Sequence, residues 1–230
     1  MKIFLSVICL VLLSPPVWGE SLTVDDLVER EDIVYKKFSG VPFTGEVTGR
    51  HQGKYKDGLR IGTFLEYYEN GQLIEKGNYK DGKEEGPHEN YHENGQLNLR
   101  GNYKDGEEDG LWESYYDNGQ LESKGNYKDG NSVGGWESYY ENGQLETKSY
   151  FKDGIPDGLW ERYYENGQLT SKWNLKDGEP EGHWESYYDN GQLEYKGNYK
   201  DGEDDGLWES YYENGQLEYK GNYKEKERDG

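Results

Sequence analysis

The sequence predicts an all-β protein, an elongated single-layer antiparallel sheet built from repeated hairpins. Three observations predict it. Asn-Gly recurs every 24 residues, at Asn70, Asn94, Asn118, Asn142, Asn166, Asn190 and Asn214. Asp-Gly recurs on the same period, at Asp57, Asp81, Asp105, Asp129, Asp153, Asp177 and Asp201. Between the two turns run short stretches that alternate aromatic and polar residues, such as W-E-S-Y-Y at Trp112–Tyr116. A fixed period of about 20–50 residues marks stacked identical units. Asn-Gly between two aromatic or apolar runs is the strongest short-range hairpin signal.

The elements follow in order. Lys2 precedes an apolar run, Ile3–Leu13, and then S-P-P-V-W-G, with Val17 and Gly19 in the small-residue spacing of a cleavage site. Residues 1–19 therefore read as a secretory signal. The run is too short to span a bilayer. The mature chain is expected to begin near Glu20 and to be exported, to a periplasm or to the medium. Cys9 is the only cysteine and falls inside the signal, so no disulfide or cysteine metal site is expected in the mature chain. Residues 20–52 are expected to cap the sheet and to open it with a half repeat. A short helix capped by Thr23 is expected over residues 23–30, with Asp25 and Asp26 in its first turn. Seven tandem repeats fill residues 53–223, and the charged tail 224–230 blunts the far edge. Two strands per repeat give about 10 Å of rise, so seven repeats span roughly 65–70 Å.

A register follows if Asn118-Gly119 is a two-residue loop with positive φ at both residues. Tyr116 then faces Leu121, Tyr115 faces Glu122, Ser114 faces Ser123, Glu113 faces Lys124 and Trp112 faces Gly125. Side chains alternate between faces along a strand. Trp112, Ser114, Tyr116 and Leu121 share one face; Glu113, Tyr115, Glu122 and Lys124 share the other. The Glu–Lys pairing recurs at Glu137–Lys148, Glu161–Lys172, Glu185–Lys196 and Glu209–Lys220. Ser149 and Trp173 replace the glycine opposite Trp136 and Trp160. A local irregularity is expected around residues 149–175.

Composition narrows the function. Hydrophobic residues make up 31% of the chain but aromatic residues 15%, so Tyr and Trp replace Leu, Ile and Val as the source of buried area. Disordered chains are poor in aromatics. The net charge of −21 repels nucleic acid and anionic lipid, so neither is an expected partner. A protein partner, a basic one in particular, or a second copy of the chain is compatible with it.

The unit G-L-W-E-S-Y-Y-D-N-G-Q-L-E-S-K-G-N-Y-K-D-G, residues 110–130, resembles the bacterial variant of the MORN repeat. P-F-T-G at Pro42–Gly45 resembles the half repeat that opens such proteins. The resemblance implies an elongated sheet of hairpins. It also implies a binding or scaffold module, or an antitoxin or immunity protein that neutralises a partner toxin.

No catalytic residue, cofactor or metal site is expected. Every candidate recurs with the repeat, and no phosphate loop, nucleophile elbow or zinc spacing appears. The acidic turns Glu107–Asp109 and Glu203–Asp205 match no calcium-binding pattern, which leaves weak ion association. His88 and His92 lie about 13 Å apart along a strand, too far to share a metal, and occupy the Trp and second-Tyr positions. The candidate surface is an aromatic stripe formed by Trp112, Trp136, Trp160, Trp184 and Trp208 with Tyr116, Tyr140, Tyr164, Tyr188 and Tyr212. A single-layer sheet cannot bury a whole face unaided, so these rings are either core or a partner-binding surface.

Overall fold

The computed structural model describes residues 21–223. The expected signal, residues 1–19, and the expected charged tail, residues 224–230, lie outside them. The described chain is nearly all strand, as predicted, and forms one long antiparallel sheet of hairpins. The third repeat typifies the rest, pairing Gly110–Tyr115 with Leu121–Lys128. Trp112 pairs with Gly125, Glu113 with Lys124 and Ser114 with Ser123, as the register expected from the sequence requires.

Near the turn the register departs from the expectation. Tyr115, not Tyr116, pairs with Leu121. The loop has three residues, closed by Tyr116 N–H donating to the Gln120 carbonyl and Gly119 N–H donating to the Tyr116 carbonyl. Gly119 has φ +83°, while Asn118 is absent from the left-handed region. This is the type I turn followed by a left-handed glycine. Asn118 serves through its side chain: its Oδ1 accepts the Gln120 N–H at 2.8 Å. The extra residue opposite the turn is Glu122, so the glutamate at this position joins the serine side of the sheet. Ser186 Oγ donates to Glu194 and Ser210 Oγ to Glu218, both at 3.1 Å. The turn with two left-handed residues is the other one: Asp105 has φ +54° and Gly106 +88°. Asp tolerates that region better than most side chains.

Adjacent hairpins are joined by a bulged pairing. Lys124 faces Glu137 and Asn126 faces Val133, so Gly125 alone opposes Gly134, Gly135 and Trp136. Gly134 takes φ +68° there, which accounts for the third recurring glycine, since bulges of this kind use left-handed glycine. Hydroxyl bonds run across the same joints. Tyr116 donates to the Tyr139 carbonyl at 2.6 Å, Tyr140 to Tyr163 at 2.7 Å, Tyr164 to Tyr187 at 2.9 Å and Tyr188 to Tyr211 at 2.8 Å. The Asn side chains do likewise, as in Asn94 Nδ2 to the Asp117 carbonyl at 2.7 Å. Y-Y-x-N-G is thus a stacking device as well as a turn.

The opening segment has its own small core. Val34, Phe43, Val47 and Tyr55 are buried, with Leu22, Leu27 and Phe64 against them. Ser21–Leu22 runs parallel to Gly45–Val47 and closes that edge of the sheet. The helix expected over residues 23–30 shrinks to one 3-10 turn, Val24–Asp26, whose Asp26 carboxylate accepts from Thr23 N–H and Oγ1. Leu27–Arg30 then pairs with Ile33–Lys36 as a hairpin. The alternation of Leu27 and Glu29 with Val28 and Arg30 suits a strand as well as a helix, and the core takes it as a strand.

Candidate binding surface

The described tryptophans project from one face, placed there by strand alternation. Their partners are not the tyrosines of the expected stripe. Trp112 meets Tyr103 edge-on at 5.1 Å and Tyr127 at 6.2 Å. Tyr127 meets Trp136 at 5.1 Å, and Phe151 lies between Trp136 and Trp160. Tyr199 meets Trp208 at 5.2 Å. These rings stand just before K-D-G, two residues past the residue that Trp pairs with, and so lie on the same face. Extending the register by two residues would have found them. Tyr116, Tyr140, Tyr164 and Tyr188 instead sit in the turns and spend their hydroxyls on the next hairpin; Tyr212, in the last repeat, is exposed.

Each ring lies on the hairpin before it. A Cβ on Gly101 would sit 2.2 Å from the Trp112 indole, one on Gly125 2.0 Å from Trp136, and one on Gly197 2.2 Å from Trp208. Glycine at this position is therefore the floor for the next repeat's tryptophan. Trp112 is 4% exposed; Trp136, Trp160, Trp184 and Trp208 are half-buried. The indole N–H groups of Trp112, Trp136, Trp160 and Trp208 are buried without a hydrogen-bond partner. The irregularity expected at 149–175 shows in the rings and in one joint between hairpins. Within hairpins the pairing keeps its pattern, with Trp136 facing Ser149 and Trp160 facing Trp173. Between hairpins Trp173 pairs with Trp184 and the register shifts before Leu175, whereas the equivalent Gly125 and Gly197 are left out of the pairing. Trp160 and Trp173 lie tilted at 5.8 Å.

The two faces differ in charge. On the reverse face Glu89, Glu113, Glu137, Glu185 and Glu209 each meet a base. The ion pairs run between hairpins: Lys124–Glu137 at 2.9 Å, Lys172–Glu185 at 2.7 Å and Lys196–Glu209 at 2.7 Å. Glu209 also takes Lys220 at 2.7 Å and the Tyr211 hydroxyl at 2.7 Å. On the tryptophan face Glu84, Glu108 and Asp204 pair across the strands with Tyr79, Tyr103 and Tyr199, not with lysine. Burial, then Glu84 beside it, holds the Glu108 carboxyl above its usual range. Burial and then Glu84 and Glu108 push the Tyr103 hydroxyl up to about 12.

Seven consecutive stretches match one family model, described as MORN repeat variant: residues 60–81, 84–105, 108–129, 133–153, 156–177, 180–201 and 204–225. Together they cover more than half of the chain. The chain belongs to the MORN repeat variant family. No curated protein matches it. In this MORN chain the matched units begin in the strand after each Asp-Gly turn, so each includes one tryptophan-position residue and the glycine position that precedes the next unit, held by Ser149 and Trp173 in the fourth and fifth units.

The reverse-face network sets an acid limit on the MORN sheet. Burial alone would raise the Glu185 carboxyl, but bonds from Lys172, Tyr187 and His183 outweigh it and bring it to about 2. Bonds from Lys196, Lys220 and Tyr211 bring Glu209 to about 2 as well. Both titrate below their ordinary value of 4.5, so their stabilisation is whole above that pH and is lost as pH falls toward 2. Denaturant unfolding followed from pH 6 to pH 2 should show stability falling throughout the lower part of that range. Glu185→Gln with Glu209→Gln should flatten the fall.

Proposed function

We propose that this chain is an exported, non-enzymatic scaffold that binds a basic protein on its tryptophan face. The observation that supports it is the charge asymmetry. Lysines neutralise the reverse face, whereas the tryptophan face combines half-buried rings with carboxylates that lack lysine partners across the strand. Towards the end of the sheet that face also presents exposed Tyr195, Tyr219 and Tyr223. Tyrosine supplies large contact area at low entropic cost, and a complementary field speeds encounter with a basic partner. Two copies meeting through this face would bring like charges together, which disfavours a face-to-face dimer. A captured toxin would make the chain an immunity protein, one form of the same activity.

The test is capture by the purified chain lacking residues 1–19 from an extract of the exported fraction, with partners identified by mass. A basic protein should be retained and released by salt. Glu108→Lys with Asp204→Lys should weaken its binding by about tenfold or more, while Lys124→Glu on the reverse face should not. The natural chain recovered from the same fraction should begin near Glu20. Binding that follows Lys124 and ignores Glu108 and Asp204 would contradict the proposal.

A further inference from the structure

The first two repeats depart from the others at two places, and the fold brings the departures together. His88 stands where Trp112, Trp136, Trp160, Trp184 and Trp208 stand in later repeats. Glu75 stands where Ser123, Thr147 and Ser171 stand. Glu75 and His88 come from adjacent hairpins, and one donor atom of each, with one of Glu84, lies within 4.8 Å of the others. The Glu75 Oε1 and the His88 Nδ1 both lie over Gly77, 3.7 and 3.2 Å from where its Cβ would be.

His88 is 6% exposed, and its Nδ1 is buried with no hydrogen-bond partner. That nitrogen approaches Glu84 Oε1 at 3.5 Å without hydrogen-bond geometry. A buried polar atom left unpaired costs about 1–3 kcal/mol. Asn90, opposite Glu75 in the strand pairing and on the same face as His88, also has its Oδ1 buried and unbonded. Glu75 pairs directly across its own hairpin with Glu66, and like charges so placed destabilise a sheet. Glu66 is engaged by His51 at 3.0 Å; Glu75 makes no hydrogen bond or ion pair among the described residues. Orphaned nitrogen, orphaned amide oxygen and unpaired carboxylate all lack the same thing, a cation.

We propose that Glu75, Glu84 and His88 bind a divalent first-row transition ion, of which Zn2+ is the probe. One imidazole with two carboxylates is a borderline donor set, which suits such ions; calcium and magnesium take oxygen alone. Zinc bonds of about 2.0–2.2 Å set tetrahedral donors about 3.4 Å apart, close to the His88–Glu84 approach. The ion would clip the first hairpin to the second, since Glu75 lies in Leu73–Lys80, Glu84 in Lys83–Glu84 and His88 in Gly86–Tyr91.

The test is Zn2+ titration of the purified protein by calorimetry in millimolar Ca2+, which occupies diffuse acidic sites. One equivalent should bind, and the thermal midpoint should rise with it. His88→Trp and Glu75→Ser restore residues the repeat uses elsewhere, so both should fold normally, as circular dichroism without metal will verify. Each should weaken Zn2+ binding by about tenfold or more, and Co2+ in the natural protein should give the intense visible bands of a tetrahedral site. Zn2+ binding equal in all three proteins, or abolished by the Ca2+, would overturn the proposal and leave only diffuse association with an acidic surface.

Discussion

Replacing Trp112 with alanine is expected to destabilise the protein by about 3–5 kcal/mol, the usual cost of removing a buried large aromatic. Trp112 is the most buried of the described tryptophans. It rests on Gly101, stands between Tyr103 and Tyr127, and touches His88. Among the described residues no second layer covers this face to collapse into the cavity, so the neighbouring rings would lose their contacts outright. Edge-to-face pairs add about 0.5–1.5 kcal/mol each beyond area. Trp112→Phe should cost much less. The indole N–H makes no hydrogen bond to lose, and Phe64 holds the same position in the first repeat. Urea unfolding, monitored by circular dichroism, measures both. Equal losses for Ala and Phe would show that the N–H matters more than the ring.

Replacing Gly101 with valine should cost about 2–3 kcal/mol, the upper range for overpacking a filled site. The added Cβ would fall 2.2–2.7 Å from three Trp112 ring atoms. Those atoms belong to the fused part of a rigid indole, so no flexible tip can swing away. Serine should cost less than valine, because Ser149 occupies the equivalent place and is itself buried. Beside Ser149 the ring spacing loosens: Phe151–Trp160 is 5.9 Å, against 5.1 Å for Tyr127–Trp136. The same unfolding measurement decides it, and a valine variant as stable as the natural chain would mean that Trp112 does not rest on that glycine.

Much of this architecture was legible in the sequence because a repeat tests its own reading. The Asn-Gly period, the Ser114–Ser123 and Trp112–Gly125 pairings and the Glu–Lys alternation follow from counting. At the Asn-Gly turn the structure departs from the sequence expectation by one residue, because Asn-Gly suits a two-residue loop and Asp-Gly suits one equally. The Asp-Gly turn takes the two left-handed residues, and the Asn-Gly turn takes a third loop residue with an Asn side-chain bond. That single residue moved Tyr116 off the tryptophan stripe and Glu122 across to the serine side. The remaining losses are contacts between hairpins. Trp112 pairs with Gly125 in its own hairpin but lies on Gly101 in the one before, and Glu75 meets His88 only across the same kind of joint. Register within a hairpin is set by its turn. Packing between hairpins depends on the bulge at Gly110 and its equivalents, whose size no periodicity announces.

Each hairpin is held by its aromatic ring on the preceding hairpin, which offers a glycine beneath Trp112, Trp136 and Trp208. Two double-mutant cycles test it most directly, one pairing Trp112→Ala with Gly101→Val and the other pairing Trp112→Ala with Gly125→Val. Contacting residues couple by about 0.5–3 kcal/mol, while independent ones add to within about 0.5 kcal/mol. The account predicts strong coupling of Trp112 to Gly101, because valine would then fill space the indole has left, and near-additivity with Gly125, which Trp136 covers. Coupling to Gly125 with none to Gly101 would contradict it, and would mean that each hairpin packs on itself.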